Sequence, residues 1–359
     1  MDPENEGIVL PVDLIRAVAI VLVILLHASA EPNLNINIMS QAGIQLWWAS
    51  HIYDSVGLTA VPLFVMLTGA LLLQPSKADE PLRVFFKKRW NRIGIPILFW
   101  GAAYFAWDTL VKGQSLTLVS ALQGVLAGPY VQFWYVYLLI GLYLITPILR
   151  VVVAHANWSI IRYFLGVWFI GTGIISLLTL YASISSQTIW FRSTVFILTG
   201  IIGYYILGAY IAKFRLRSSL LILFLTLSSL WTIVGTYFLV GTMGERYSQF
   251  FLDASSFSVI VASVSLFLIL AKFSNHKTET RFALGNRVLK IISQNSLPLW
   301  LFHIIILETL QNGCLGFRIS VTTMSSIIEI PIITVLTLLI CLAIIVPLKK
   351  IPYVKKIIG

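Results

Sequence analysis

The 359-residue chain is 58% hydrophobic, only 11% charged, and carries a formal net charge of +11 at pH 7. A water-soluble domain has about 25% charged residues, so the composition excludes a soluble protein and predicts an integral membrane one. Two cysteines, Cys314 and Cys341, exclude a disulfide framework.

Ten apolar segments follow one another, at about 9–29, 55–73, 93–111, 131–149, 163–181, 193–211, 219–240, 255–271, 292–311 and 327–347. Each is long enough for a hydrocarbon core of about 30 Å. Basic residues fall in alternate connections. Six lie in 74–92, two in 150–162, three in 212–218, five in 272–291 and four in the C-terminal tail. The intervening loops hold only Lys112, Arg192, Arg246 and Arg318. The positive-inside rule then places both termini in the cytoplasm. The basic excess is a topology signal with contact to membrane lipids, and no nucleic-acid partner is expected. The expected architecture is all-α, with about ten transmembrane helices forming one membrane domain over 1–359. The leader Met1 to Glu6 is acidic and Arg16 interrupts the first apolar run, so that run reads as a retained span. The longest outside loop, about 30–54, is rich in amides and aromatics, including Asn33, Asn35 and Asn37, and contains no Lys or Arg.

Segment one carries Asp13, Arg16 and His27. Eleven helical steps from Arg16 to His27 come to about 20° past three turns, so the two share a face about 16 Å apart. Asp13, one turn before Arg16, is placed to pair with it. Ionisable groups at membrane depth face cavities or partners, which predicts that Arg16 and His27 line one hydrated passage. A neutral imidazole there can take a proton from a hydroxyl. The same residues also read as a structural ion pair and an interfacial histidine.

In segment two, Thr68 can donate across helices and Gly69 permits close backbone approach. Segment three opens on Phe85-Phe86-Lys87-Lys88-Arg89-Trp90-Asn91-Arg92, with Pro96 just inside. Arg89 and Arg92 share a face, and two forked guanidiniums suit phosphates. A cluster contacting lipid headgroups is the alternative. Gln132, Trp134 and Tyr135 open segment four, as an aromatic belt or as a sugar-stacking platform. His303 in segment nine is a pocket candidate, with Glu308 further out. His51, His155 and His276 fall in predicted loops. No metal-ligand spacing, phosphate loop, dinucleotide fingerprint or nucleophile elbow occurs, so no metal is expected. A histidine-based enzyme remains, or a proton-coupled transporter using Asp13, Arg16 and His27, although no inverted repeat is evident.

Together these residues resemble the membrane acyltransferase-3 family. Arg16, ten residues and His27 are similar to its Arg-x10-His signature. Arg89-Trp90-Asn91-Arg92 with Pro96 resembles its cytoplasmic Arg-x-x-Arg element. Phe64 to Gly69 resembles a Phe-x-x-x-Ser-Gly segment, with Thr68 in place of serine. Trp134-Tyr135 with Leu142-Tyr143 and Pro147 resembles its fourth-span pattern, although Gln132 stands where many members have histidine. Ser296 to His303 resembles its late segment, with Pro298 and Trp300 where Gly and Tyr are common. The chain is most similar to the stand-alone branch that includes enterobacterial-common-antigen O-acetyltransferases. The resemblance implies acetyl transfer from cytoplasmic acetyl-CoA to a hydroxyl of a lipid-linked or surface glycan, in an inner membrane. It implies His27 as general base, with Arg16 held by Asp13. It implies donor binding at Arg89, Arg92 and Lys88, and acceptor or oxyanion contacts from Gln132, Trp134, Tyr135, His303 and Thr68.

Overall fold

The computed structural model describes residues 10–30, 41–115, 117–184, 197–214, 216–244, 248, 250–273, 283–314, 316, 319 and 325–359. The acidic leader, Asn33, Asn35, Asn37, Arg192, Arg246, His276 and Arg318 lie outside them. Among the described residues the regular structure is entirely helical. Six stretches of these residues are long and apolar enough to cross a membrane: 12–29, 43–72, 82–110, 133–155, 218–243 and 326–348. The described residues of the ten predicted segments are largely helical, and the segment at 292–311 runs across two helices rather than one.

Helix α1 (Val12–Ser29) is the hub. It packs against α2 (Gln41–Gly57), α3 (Ala60–Leu72), α12 (Ala283–Gln294), α13 (Ser296–Gln311) and α14 (Ser326–Leu348). Its Ile15, Ala19, Ile20 and Ile24 are fully buried. Contact on several sides explains why its sequence is apolar almost all round.

Within the loop expected over 30–54, the described residues 41–54 are helix. Residues 41–57 form α2, whose Leu46, Trp47 and Ala49 are buried against neighbours. Packing on α1, α10 (Ser218–Met243) and α14 supplies stabilisation that its amide-rich sequence lacks. His51 is accordingly not a loop residue. It is buried, stacks on Trp47 at 3.8 Å between ring centroids, and its Nδ1 lies 2.8 Å from the Trp47 carbonyl oxygen. His155 is the last residue of α7 (Phe133–His155) and is exposed.

Helix α3 meets α9 (Ile197–Tyr210) backbone to backbone. A Cβ on Gly69 would stand 1.9 Å from the Tyr205 carbonyl oxygen, and one on Gly208 1.9 Å from that of Met66. The close approach expected at Gly69 is therefore present, and Gly208 reciprocates it.

The chain enters α5 (Ile95–Leu110) through α4 (Leu82–Arg89) and a π-helical turn, Trp90–Gly94. The turn rotates Arg92 relative to Arg89 away from ordinary α-helical phase. Helices α12 and α13 meet at an 80° bend around Asn295. The short α6 (Leu118–Ala127) precedes α7, and α8 (Trp158–Ile184) and α11 (Phe257–Ala271) complete one flank with α10. The terminal α15 (Pro352–Ile358) docks on α5, with Trp100 Nε1 donating to the Ile358 carbonyl at 3.2 Å.

Polar clamps close the two ends of the bundle. At one end Glu308 on α13 accepts from Trp107 and Lys112, both at 2.8 Å, and from Tyr130. At the other, Arg150 is 1% exposed and donates through Nε to the Leu72 carbonyl at 2.7 Å. Its Nη1 lies 2.9 Å from Glu80, which also holds Lys88 at 2.7 Å. Hydrogen bonds from Lys88 and Arg150 outweigh burial and hold the Glu80 carboxyl below its ordinary pKa of 4.5. A depressed pKa contributes stability that is complete above the unfolded value and lost as pH falls through the folded one. Glu80→Gln should therefore cost about 1–3 kcal/mol at neutral pH, since it strands a buried guanidinium. Melting midpoints of variant and wild type should converge on acidification; parallel curves would exclude the clamp.

Candidate functional site

A cavity of about 350 Å³ opens beside this second clamp. Its polar wall comes from five directions: Arg16 on α1, Thr68 on α3, Lys77 after α3, Arg89 and Arg92 around the π-turn, and Ser296 at the start of α13. Tyr135 and Tyr143 of α7 and Trp300 of α13 complete it. Four of the lining residues are cations and none is a carboxylate. Such a wall favours an anion, and forked guanidiniums favour phosphate.

Three of the four cations are held. Arg16 does not touch Asp13 directly, as the helical spacing had predicted. The Ser293 hydroxyl stands between them, donating to Asp13 Oδ1 at 2.6 Å and accepting from Arg16 Nη1 at 3.4 Å. Asp13 is exposed, so Ser293 brings its carboxylate to bear through a neutral intermediary. Arg89 lies 5.1 Å from the Phe85 ring and 5.6 Å from that of Tyr143, and these faces fix its plane. Its buried Nε has no hydrogen-bond partner. Lys77 donates to the Leu71 carbonyl at 2.6 Å, capping the end of α3. Burial, with Arg150 and Arg89 nearby, lowers the Lys77 pKa. Lys88, expected with the arginines, is instead taken up by Glu80 and does not line the cavity.

Three rings close the cavity on its far side. Phe64, Tyr135 and Trp300 contact one another, with centroids 4.2 Å apart for Tyr135–Trp300, 5.6 Å for Phe64–Trp300 and 6.1 Å for Phe64–Tyr135. One turn further along α13 stands His303, fully buried, its ring 5.1 Å from that of His27. Arg16 lines the cavity, and His27 is not among its lining residues. These rings form an aromatic collar on the cavity wall, built from helices whose relative rotation the sequence does not encode.

The His303 tautomer follows from its contacts. Nδ1 lies 2.8 Å from the Trp300 carbonyl oxygen and 3.1 Å from that of Leu299. Carbonyls only accept, so Nδ1 carries the hydrogen and Nε2 presents a lone pair. That Nε2 is buried without a partner. The histidine pair therefore offers a proton acceptor at membrane depth.

Gln132 is fully buried and clamps α13: its carbonyl accepts from Trp300 Nε1 at 3.1 Å, and its Nε2 donates to the Leu301 carbonyl at 3.4 Å. Trp134, 46% exposed, faces outward and has no part in the cavity, whereas the adjacent Tyr135 faces in. Thr68 donates back to the Phe64 carbonyl at 2.7 Å while lining the wall. Sequence reasoning missed Lys77, Ser293, Ser296 and Arg150. Ser296 was part of a recognised segment; Ser293, from far along the chain, gave no signal.

The acyltransferase-3 family model, described as an acyltransferase domain, matches residues 10–346. The chain belongs to this family and is a multi-span membrane protein of acyltransferase type. No curated protein and no solved structure matches it significantly. The transporter reading finds no support in the family match.

Proposed function

We propose that this acyltransferase is a stand-alone O-acetyltransferase, similar to the enterobacterial-common-antigen branch, that transfers acetyl from cytoplasmic acetyl-CoA to a hydroxyl of a lipid-linked or surface glycan. The observation that carries the reading is the cavity with four cations and no carboxylate, whose Trp300 stands one helical turn from His303 of a histidine pair. In this reading the chain, 1–359, acts as one domain of ten crossings in a bacterial inner membrane. The alternation of basic loops supports cytoplasmic termini and a cytoplasmic cavity mouth.

The donor's phosphates dock at Arg89 and Arg92, with Lys77 beside them. The pantetheine arm passes Arg16, and the thioester reaches the histidines once the collar rings swing aside. Gln132 holds Trp300 in the collar, and Thr68 lies on the arm's path. His27 takes the acceptor's proton as its oxygen attacks the thioester carbonyl. The carbon–sulfur bond breaks, the CoA thiolate receives that proton, and an ester remains on the glycan. His303, fixed as the Nδ1–H tautomer, positions the His27 ring.

The test is thiol release by purified protein supplied with acetyl-CoA and glycan. Arg89→Glu and Arg92→Glu should each raise KM for acetyl-CoA by about tenfold or more, as expected when a charge-assisted contact worth about 1.5–3 kcal/mol is lost. An unchanged KM removes these residues from the donor site. Glycan flux into vesicles without acetyl-CoA would overturn the enzyme reading.

A further inference from the structure

A second chamber lies between α8, α10 and α11 and shares no lining residue with the cationic cavity. We propose that it holds the acyl chains of one anionic phospholipid, whose headgroup sits at a basic rim on the cavity's side of the bundle. The chamber measures about 1060 Å³. A dry cavity of about 150 Å³ takes one benzene, so this volume suits on the order of forty aliphatic carbons, the scale of two acyl chains. Its wall is apolar and aromatic, with Trp168, Phe169, Phe224, Trp231 and Phe251 among its side chains.

Two glycines show that no described residue fills it. Gly166 and Gly173 stand two turns apart on the chamber face of α8, and a Cβ on either would meet nothing within 4 Å. Glycines on α9 behave differently: Gly203 and Gly208 lie against Trp168 and Met66. Small residues in membrane helices ordinarily admit a neighbouring helix. At Gly166 and Gly173 the space they leave belongs to the chamber.

The rim supplies charge complementarity. Arg162 lines the chamber at the start of α8 and lies 5.9 Å from the Trp158 ring. Lys213 stands 4.8 Å over the same ring. Lys272, at the end of α11, donates to the Leu216 carbonyl at 2.5 Å and to Ser218 at 3.0 Å, and Leu216 lines the chamber. No carboxylate occurs among the described lining residues. The rim is tied to the cavity's end of the molecule, since Tyr210 donates to the Val153 carbonyl and Arg150 to that of Leu72. A lipid-linked acceptor must present its hydroxyl to the histidine pair beyond the collar. A headgroup at this rim is at the other end, so a phospholipid of the adjoining leaflet fits and a glycan carrier does not.

The experiment uses the full chain, purified and stripped of lipid in detergent. It is offered dioleoyl phosphatidylglycerol or dioleoyl phosphatidylcholine, and native mass spectrometry counts what remains bound. Wild type should retain a single phosphatidylglycerol in preference to phosphatidylcholine. Gly166→Phe combined with Gly173→Phe should abolish that retention while helix content and melting midpoint persist. Arg162→Gln and Lys213→Gln should each weaken phosphatidylglycerol by about fivefold and leave phosphatidylcholine unchanged. Equal retention by wild type and the filled chamber overturns the proposal, as does equal retention of the two lipids. Should the filled variant fail to fold, the rim variants decide alone. None of these readouts depends on acyl transfer.

Discussion

His27→Ala should lower kcat by about 10²–10⁴-fold, the usual contribution of a positioned general base. The KM for acetyl-CoA should barely move, because His27 is not among the residues that line the cationic cavity. A loss confined to kcat is the mark of an interaction made only at the chemical step. His303→Gln should do less. Its neighbour His27 remains, and glutamine can still donate to the Trp300 carbonyl that His303 contacts at 2.8 Å. His303→Leu removes both the donor and the buried, unpartnered lone pair and should do more than glutamine. Steady-state thiol release with and without glycan measures all three. A His27→Ala enzyme within threefold of wild-type kcat, or one whose loss lies wholly in KM, would remove the histidine from the chemistry.

Gly69→Ala and Gly208→Ala should destabilise the fold by about 3 kcal/mol each, the upper end of the overpacking range. The added Cβ would stand 1.9 Å from a carbonyl oxygen in both cases, where contacts under 3.0 Å are essentially never found. The obstructing atom is backbone, so no rotamer change relieves it. Only separation of α3 from α9 by about an ångström does, and that opens a gap along the rest of the pair. The double variant should cost much less than the sum, because one displacement relieves both clashes. Gly141→Ala is the control, with nothing within 4 Å of its Cβ, and should be neutral or slightly stabilising. Melting midpoints in one detergent compare all four. Equal behaviour of Gly69→Ala and Gly141→Ala would contradict the backbone contact.

The sequence made the helices legible because hydrocarbon length and apolar composition are local properties. It made Arg16, Arg89 and Arg92 legible as a group only through their order along the chain. What it could not supply was rotation and long-range company. Trp134 and Tyr135 are neighbours, yet one faces out and the other lines the cavity. Asp13 and Arg16 have the spacing of a pair, but the hydroxyl of Ser293 enters between them from α12. Arg150 counts as a loop residue by charge pattern and is 1% exposed at the second clamp. The helix α2 was hidden because its amides and its lack of Lys and Arg resemble a loop, and only burial against its neighbours reveals it. His27 meets the ring of His303 from α13, a partner far along the chain that its spacing from Arg16 could not indicate.

Two helices locked by reciprocal glycines behave mechanically as a single strut. Neither can turn about its axis or slide along the other without driving a carbonyl into a carbon. Thr68 sits next to Gly69 on that strut and is therefore a fixed fiducial on the wall facing the arginines. Any breathing that admits a bulky guest must be supplied by the opposite side, where the π-turn before α5 and the bend before α13 provide compliance.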